Sequence, residues 1–253
     1  MIFTPKLLKP SEISTDNKGS ATLVWGLEGS GKSHIAINSA DVAPTLVYLN
    51  FDRDVSHLLS KYKGEEIIYE KFVVDPRPGG KARAKADCDK IEALTMWAYK
   101  KGNCVITFDN VQNWRSLSNR AYLPEGEEKP IPRQYEQSND HMRTVALLCE
   151  AAPSTHSVFT APASPKWIGQ QTKITEGGED LLESKAWEGL DFAVQTSVYM
   201  FNQTHKKMVK PRPVEGSIEP DFRALIVTAK LRPIVQGLII EQPTLGEILK
   251  RTR

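Results

Sequence analysis

Hydrophobic positions in the first half of the chain fall into strand-length runs separated by stretches with helical spacing. Ala21-Thr22-Leu23-Val24-Trp25 is an apolar run that ends at Gly26. From Ser33, the segment SHIAINSADV has helical character until Pro44 closes it. Thr45-Leu46-Val47-Tyr48-Leu49 predicts a second buried strand, and residues 55–62 a short helix. Residues 67–69 and 72–74 are strand-like and lead into a Pro- and Gly-rich turn over 75–80. Residues 81–99, rich in Ala, Lys and Glu, place Ile91, Leu94 and Ala98 on one helical face. Cys104-Val105-Ile106-Thr107-Phe108 then predicts a strand closed by Asp109.

The second half is less regular. Residues 112–140 are polar and hold three prolines, which predicts loop over part of the stretch. A helix resumes over 141–151, and 157–160 reads as a short strand. Residues 161–189 carry Pro, Gly and two tryptophans. Strand signals return over 192–201, 222–230 and 234–240, with the basic segment HKKMVKPRP at 205–213 between the first two. Early alternation of strands and helices implies a mostly parallel sheet covered on both faces. The later hairpin-like strands imply antiparallel additions at one edge. The expected architecture is α/β in three layers (αβα), with residues 1–20 as an N-terminal arm and 21–253 as one domain.

Composition narrows the partners. The chain has 253 residues, 40% hydrophobic and 25% charged, enough for a full α/β core. Its 33 basic and 31 acidic residues leave a net charge of +2, so any nucleic-acid contact must come from a local patch or from assembly. Cys88, Cys104 and Cys149 are far apart and form no CxxC pair, which fits buried thiols of a reduced protein. With no signal-peptide pattern and no apolar run of transmembrane length, the expected location is the cytoplasm, with no membrane partner.

The chemistry is concentrated in Gly26-Leu27-Glu28-Gly29-Ser30-Gly31-Lys32-Ser33, a complete G-x-x-x-x-G-K-[ST] match. Roughly one chain of this length in a hundred would match by chance, and the strand before and helix after lower that further. Glycines let the backbone wrap phosphates with its N–H groups turned inward. Lys32 supplies positive charge to the β- and γ-phosphates, Ser33 supplies a hydroxyl to Mg²⁺, and the helix N-terminus adds its dipole. The expected nucleotide-contacting set is Gly26, Leu27, Glu28, Gly29, Ser30, Gly31, Lys32, Ser33 and, one residue on, His34. The expected ligands are ATP and Mg²⁺. Asp109, at the carboxyl end of an apolar strand, has the Walker-B form and is the second metal anchor. Hydrolysis needs a group that positions water. Asp52 is the first candidate and Asp54 the second; a solvated acidic turn capping the next helix is the competing reading for both.

These elements in this order resemble the RecA-like ATPases, specifically compact phage-encoded RecA-like proteins of the single-strand annealing and recombination type. In that family a strand beside the P-loop strand ends in a catalytic Glu, and the matching place, Leu49-Asn50-Phe51-Asp52, holds Asp52. The family's Walker-B strand commonly ends Asp-Ser, where this chain has Asp109-Asn110. The next strand usually presents a polar γ-phosphate sensor; Val158-Phe159-Thr160-Ala161-Pro162 offers Thr160. Val227-Thr228-Ala229-Lys230-Leu231-Arg232 is similar to the family's K-x-[KR] element. The resemblance implies that Lys230 and Arg232 act catalytically on a neighbour's γ-phosphate, and therefore that the protein forms a homo-oligomeric ring or filament.

The resemblance also implies single-stranded DNA on the loops 112–140 and 161–189. The first carries Trp114, Arg115, Arg120, Tyr122, Arg133 and Tyr135, and the second Lys166, Trp167, Lys173 and Lys185. Acids in both loops, and the habit of tryptophans to anchor packing, oppose this. The function expected from sequence is an ATPase acting on DNA in recombination, annealing or replication. Two rivals are a slow nucleotide-dependent switch that binds a protein partner and a small-molecule kinase.

Overall fold

A computed structural model describes residues 19–75, 77, 80–124, 131–168, 171–172, 182–187, 189–202 and 221–253. The basic segment 205–213 and nearly all of the N-terminal arm lie outside the described residues. In chain order the strands and helices begin β1 (Ser20–Gly26), α1 (Lys32–Ile37), β2 (Thr45–Asn50), α2 (Ser56–Leu59), β3 (Glu66–Lys71) and α3 (Gly80–Lys101). They continue with β4 (Cys104–Asp109), α4 (Val111–Tyr122), α5 (Glu136–Ala151), β5 (Thr155–Pro165), β6 (Trp167–Ile168), β7 (Gln171–Thr172) and β8 (Leu182–Ser184). The last are α6 (Leu190–Ala193), β9 (Thr196–Asn202), β10 (Phe222–Ala229), β11 (Ile239–Glu241) and α7 (Leu245–Thr252).

The main sheet runs β11-β10-β9-β1-β5-β4-β2-β3. From β9 to β3 all neighbours are parallel, and β10 and β11 add antiparallel at one edge. The period-two alternation of the strands divides the core in two. Leu23, Trp25, Val47, Leu49, Ile106 and Phe108 face the layer of α3, α4 and α5, where Cys88, Ile91, Trp114, Leu117, Met142 and Val145 meet them. Val24, Leu46, Tyr48, Val105 and Val158 face the other side, against Ile35 of α1 and Leu245, Ile248 and Leu249 of α7. The mostly parallel three-layer architecture expected from the alternation pattern is what forms.

Four local expectations differ. The helix after the P-loop is only Lys32–Ile37. Residues 72–74 leave the sheet after β3. Most of 112–140 is helix: α4 starts directly after β4, capped by Asn110, whose side chain accepts from Gln112 N at 2.9 Å. Trp114 of α4 is fully buried and stacks on Phe108, with ring centroids 4.9 Å apart. A stretch that reads as polar by average composition is amphipathic by position. The C-terminal helix α7 had a missed signal, Thr244-x-x-Glu247, and Thr244 Oγ1 indeed accepts from Glu247 N at 3.2 Å.

Candidate functional site

The carboxyl ends of β1, β2 and β4 meet at one edge of the parallel sheet, where open α/β folds bind ligands. A cleft of about 320 Å³ opens there, lined by Glu28, Gly29, Lys32, Ser33, Asp52, Arg53, Val55, Asp109, Asn110 and Pro162. Lys32, Ser33, Asp52 and Asp109, four of the residues expected to carry chemistry, thus share one cavity. Gly26, Leu27, Ser30 and Gly31 complete the loop around it. His34 is not among the lining residues; its ring packs on Phe222 at 5.0 Å.

Two glycines of the loop are required by sterics. A Cβ on Gly26 would meet Met200 O of β9 at 2.3 Å, so the strand pairing leaves no room for a side chain. Gly31 has φ +91°, a left-handed conformation, and the Phe222 ring would lie 2.8 Å from a Cβ there. Lys32 Nζ folds over the loop and donates to Gly26 O at 2.9 Å and Leu27 O at 2.8 Å. Burial pushes the Lys32 ammonium below its ordinary pKa, while the carboxylates of Asp109, Asp52 and Glu28 pull it back up. At the mouth, Arg53 and Glu28 form a solvent-exposed ion pair at 2.7 Å.

Asp109 is the hub. Ser33 Oγ donates to its Oδ2 at 2.8 Å, Tyr48 Oη donates to the same oxygen, and Thr160 Oγ1 donates to Oδ1. Burial, and next the Asp109 charge, push the Tyr48 phenol far above its ordinary pKa, so this hydroxyl remains a donor. Tyr48 was legible only as a buried strand residue, because its link to Asp109 depends on strand pairing 61 positions away. Thr160 is fully buried within β5, and its hydroxyl goes to the carboxylate.

Asp52 follows the end of β2. Its N–H donates to Asn50 Oδ1 at 2.9 Å, and Asn110 Nδ2 donates to its Oδ2 at 3.4 Å. Asp54, just before α2, accepts from Ser56 N at 2.9 Å and from the Ser56 hydroxyl, bonds that hold its carboxyl below the usual range. The sequence resemblance put this strand beside the P-loop strand; in the sheet β5 and β4 separate β2 from β1. Asp52 reaches the cleft because β2 pairs with β4 in a register that sets Asn50 opposite Asp109.

The donors fit Mg²⁺. A hydroxyl and a carboxylate held 2.8 Å apart are hard oxygen ligands, and a Mg²⁺ shared with phosphates needs only one or two carboxylates from the protein. Ser33 and Asp109 would hold it.

Lys230 and Arg232 sit elsewhere. Ala229 pairs with Thr196, which pairs with Thr22 near the start of β1, so both residues lie at the opposite end of the sheet from the P-loop. Lys230 Nζ donates to Phe192 O at 3.3 Å, and Arg232 to Arg251 O at 3.5 Å. Neither approaches this chain's own cleft.

The expected DNA loops fare unevenly. Trp114 is core, so it offers no stacking surface; the first stretch is mainly α4 and the start of α5, not loop. Arg115 and Arg133 remain exposed, and Arg120 donates to Arg77 O at 2.9 Å. In the second stretch Trp187 is buried, and Lys166 lies 4.0 Å from Glu183. Lys173 and the Trp167 side chain lie outside the described residues.

No protein-family model matches this sequence, and no curated protein matches it. Solved structures do resemble the fold. A prototypical ATPase from the type III secretion system of pathogenic bacteria superposes with TM-score 0.51 at 12% identity, over 77% of this chain and 55% of that one. The shared fold is a three-layer α/β fold with a mostly parallel central sheet and antiparallel strands at one edge. The RadB recombinase gives TM-score 0.45 at 13% identity over 89% of this chain and 87% of that one. The ATPase EscN of the enteropathogenic E. coli type III secretion system gives 0.49 at 13% identity, over 76% and 45%. This chain spans about half the length of the two secretion ATPases. Within this fold, the cleft lies at the carboxyl ends of the parallel strands, and the antiparallel edge strand β10 carries Lys230 and Arg232 away from it. No helix among the described residues is long and apolar enough to cross a membrane.

Proposed function

We propose that this protein binds ATP with Mg²⁺, hydrolyses it, and does so while acting on single-stranded DNA as a homo-oligomeric ring or filament. One observation carries the catalytic part: the P-loop Ser33 hydroxyl donates to the strand-terminal Asp109 carboxylate at 2.8 Å, in a cleft shared with Lys32 and Asp52. Motif and acid are 76 positions apart in sequence and meet only when the sheet forms.

Each residue has a distinct task in this reading. Lys32 exchanges its two loop carbonyls for phosphate oxygens, and its burial makes that charge effective in a low dielectric. Ser33 and Asp109 hold Mg²⁺, which supplies charge neutralisation on the phosphates when bound. Asp52 orients a water for attack on the γ-phosphate, with Asn110 steadying its carboxylate. Lys230 and Arg232 serve the cleft of the next protomer, since they face away from their own. Arg115 and Arg133 supply phosphate contacts for DNA, giving binding that weakens with salt. The similarity to phage-encoded RecA-like proteins supports a setting in recombination, strand annealing or replication.

The test is ATP turnover with and without single-stranded DNA, at low and moderate salt, beside Lys32→Ala. The expected result is turnover that DNA stimulates, that salt suppresses, and that falls at least about 100-fold in the variant. Tight ATP binding with turnover indifferent to DNA would instead favour a nucleotide switch acting on a protein partner. Phosphate transfer to an added nucleoside would favour a kinase.

A further inference from the structure

The Asp109 carboxylate is held from three elements at once, and two of its donors come from outside the P-loop. The sheet register brings them together. Phe108 lies opposite Phe159, so Thr160 stands beside Asp109 on the adjacent strand. Asn50 lies opposite Asp109, so Tyr48 is one side-chain repeat back along β2. Asp109 is 5% exposed, and Tyr48 and Thr160 are completely buried.

Packing alone does not call for either hydroxyl. Tyr48 belongs to the core face that holds Leu46, Val105 and Val158, where Phe would fill the same volume. Thr160 stands between Phe159 and Ala161, both fully buried, where Val would have the same shape. A buried hydroxyl costs free energy unless it is hydrogen-bonded. Both of these are bonded, and both to one carboxylate in the floor of the cleft.

Resting on the nucleotide-binding reading above, we propose that Tyr48 and Thr160 are positioning residues that aim Asp109 and set its hold on Mg²⁺. An ionised carboxylate offers roughly four acceptor directions. Ser33 and Tyr48 occupy Oδ2, and Thr160 occupies Oδ1, which leaves the remaining capacity on Oδ1. Neutral hydroxyl donors stabilise the carboxylate charge and fix its rotation without adding a cation that would compete with Mg²⁺. Removing one should therefore weaken the metal site while leaving the phosphate loop unchanged.

The experiment is equilibrium binding of a fluorescent ATP analogue across a Mg²⁺ titration, with melting temperatures confirming that each variant is folded. Tyr48→Phe and Thr160→Val should each raise the Mg²⁺ concentration for half-maximal binding by about 10- to 100-fold. Binding without Mg²⁺ should stay at the wild-type level in both. Thr160→Ser, which keeps the hydroxyl, should stay close to wild type. Wild-type Mg²⁺ half-saturation in both hydroxyl-less variants would overturn the proposal. So would an equal loss with and without Mg²⁺, which would mean a general packing defect. If Thr160→Ser behaved like Thr160→Val, keeping the hydroxyl would not preserve the metal site, and Thr160 would lose its role. A wild-type protein that binds no nucleotide, with or without Mg²⁺, would overturn the nucleotide reading itself and this proposal with it. That failure is visible before any variant is compared.

Discussion

The two ends of the sheet arrange their charged residues in opposite ways. At the carboxyl end, Lys32, Ser33, Asp52 and Asp109 converge on one cleft; Ser33 bonds to Asp109, Lys32 to its own loop, and Asp52 to Asn50 and Asn110. At the amino end, Lys230 and Arg232 are exposed, beside Leu231 and Ile234, which are 67% and 89% exposed. Lys230 donates to the backbone carbonyl of Phe192 and Arg232 to that of Arg251. Backbone carbonyls on the surface are exchangeable partners for long cations. The contrast teaches that the chain gathers the proposed phosphate and metal residues in its own cleft, while the proposed trans fingers lie at the far end of the strands, where in the proposed assembly a neighbour would meet them. An assembly stacking one end on the other is head-to-tail, and so closes into a ring or runs on as a filament.

The sharpest way to break that comparison is subunit mixing. In the proposed assembly, the double variant Lys230→Ala, Arg232→Ala should lose about 10³-fold or more in turnover with little change in nucleotide affinity. Mixing it with Lys32→Ala should restore part of the activity, because each supplies what the other lacks. If the double variant is inactive and mixing restores nothing, the two ends do not meet.

The next effect concerns stability. Trp114 is among the largest fully buried side chains and stacks near Phe108 and Phe51. Trp114→Ala should lower unfolding free energy by about 3–5 kcal/mol, read by chemical denaturation. DNA affinity per folded molecule should not change. A specific loss of DNA binding in a stable variant would return this tryptophan to the interface.

Asp52→Asn should cost about 100-fold in turnover and leave ATP and Mg²⁺ binding near wild type. A parallel loss of binding would make Asp52 a structural part of the cleft mouth, not the group that positions water.

The smallest effect is on the pH profile. Burial pushes His141 and His156 down to about 4, with Lys85 and Arg253, respectively, adding to the shift. The unfolded chain therefore takes up protons at each site before the folded one does. Stability should be fully present above about pH 6.5 and decline as pH falls toward 4, by up to about 1.4 kcal/mol per pH unit per site. Replacing His141 with Gln should flatten the melting temperature across that window. An unchanged slope would assign the acid loss to His156 and to carboxylates.

Parts of this molecule were legible because the signal is local. The P-loop is eight consecutive residues whose spacing follows from phosphate geometry, so Gly26–Ser33 needed no partner to be recognised. Asp109 was legible from the apolar run that precedes it. Helices α3 and α5 and strands β1, β2, β4 and β10 follow from periodicity. By contrast, α4 was hidden by its polar average, and Trp114 stayed open between a DNA-stacking ring and a packing anchor because burial depends on what packs opposite.

By itself, the sequence determined that a strand, a glycine-rich turn and a helix follow one another in the phosphate-loop pattern, and that a mostly parallel sheet supports them. Those properties follow from steric rules and repeat periods that act over a few residues. Only the tertiary structure decided that β5 and β4 separate β2 from the P-loop strand, and that Asn50 pairs with Asp109. It likewise decided that Tyr48 and Thr160 close around the Asp109 carboxylate, and that Lys230 and Arg232 lie at the opposite end of the strands from their own glycine-rich loop. Strand order and register are set by burial of whole faces. A shift of one residue would move every side chain to the other side of the sheet, and no short segment carries that information.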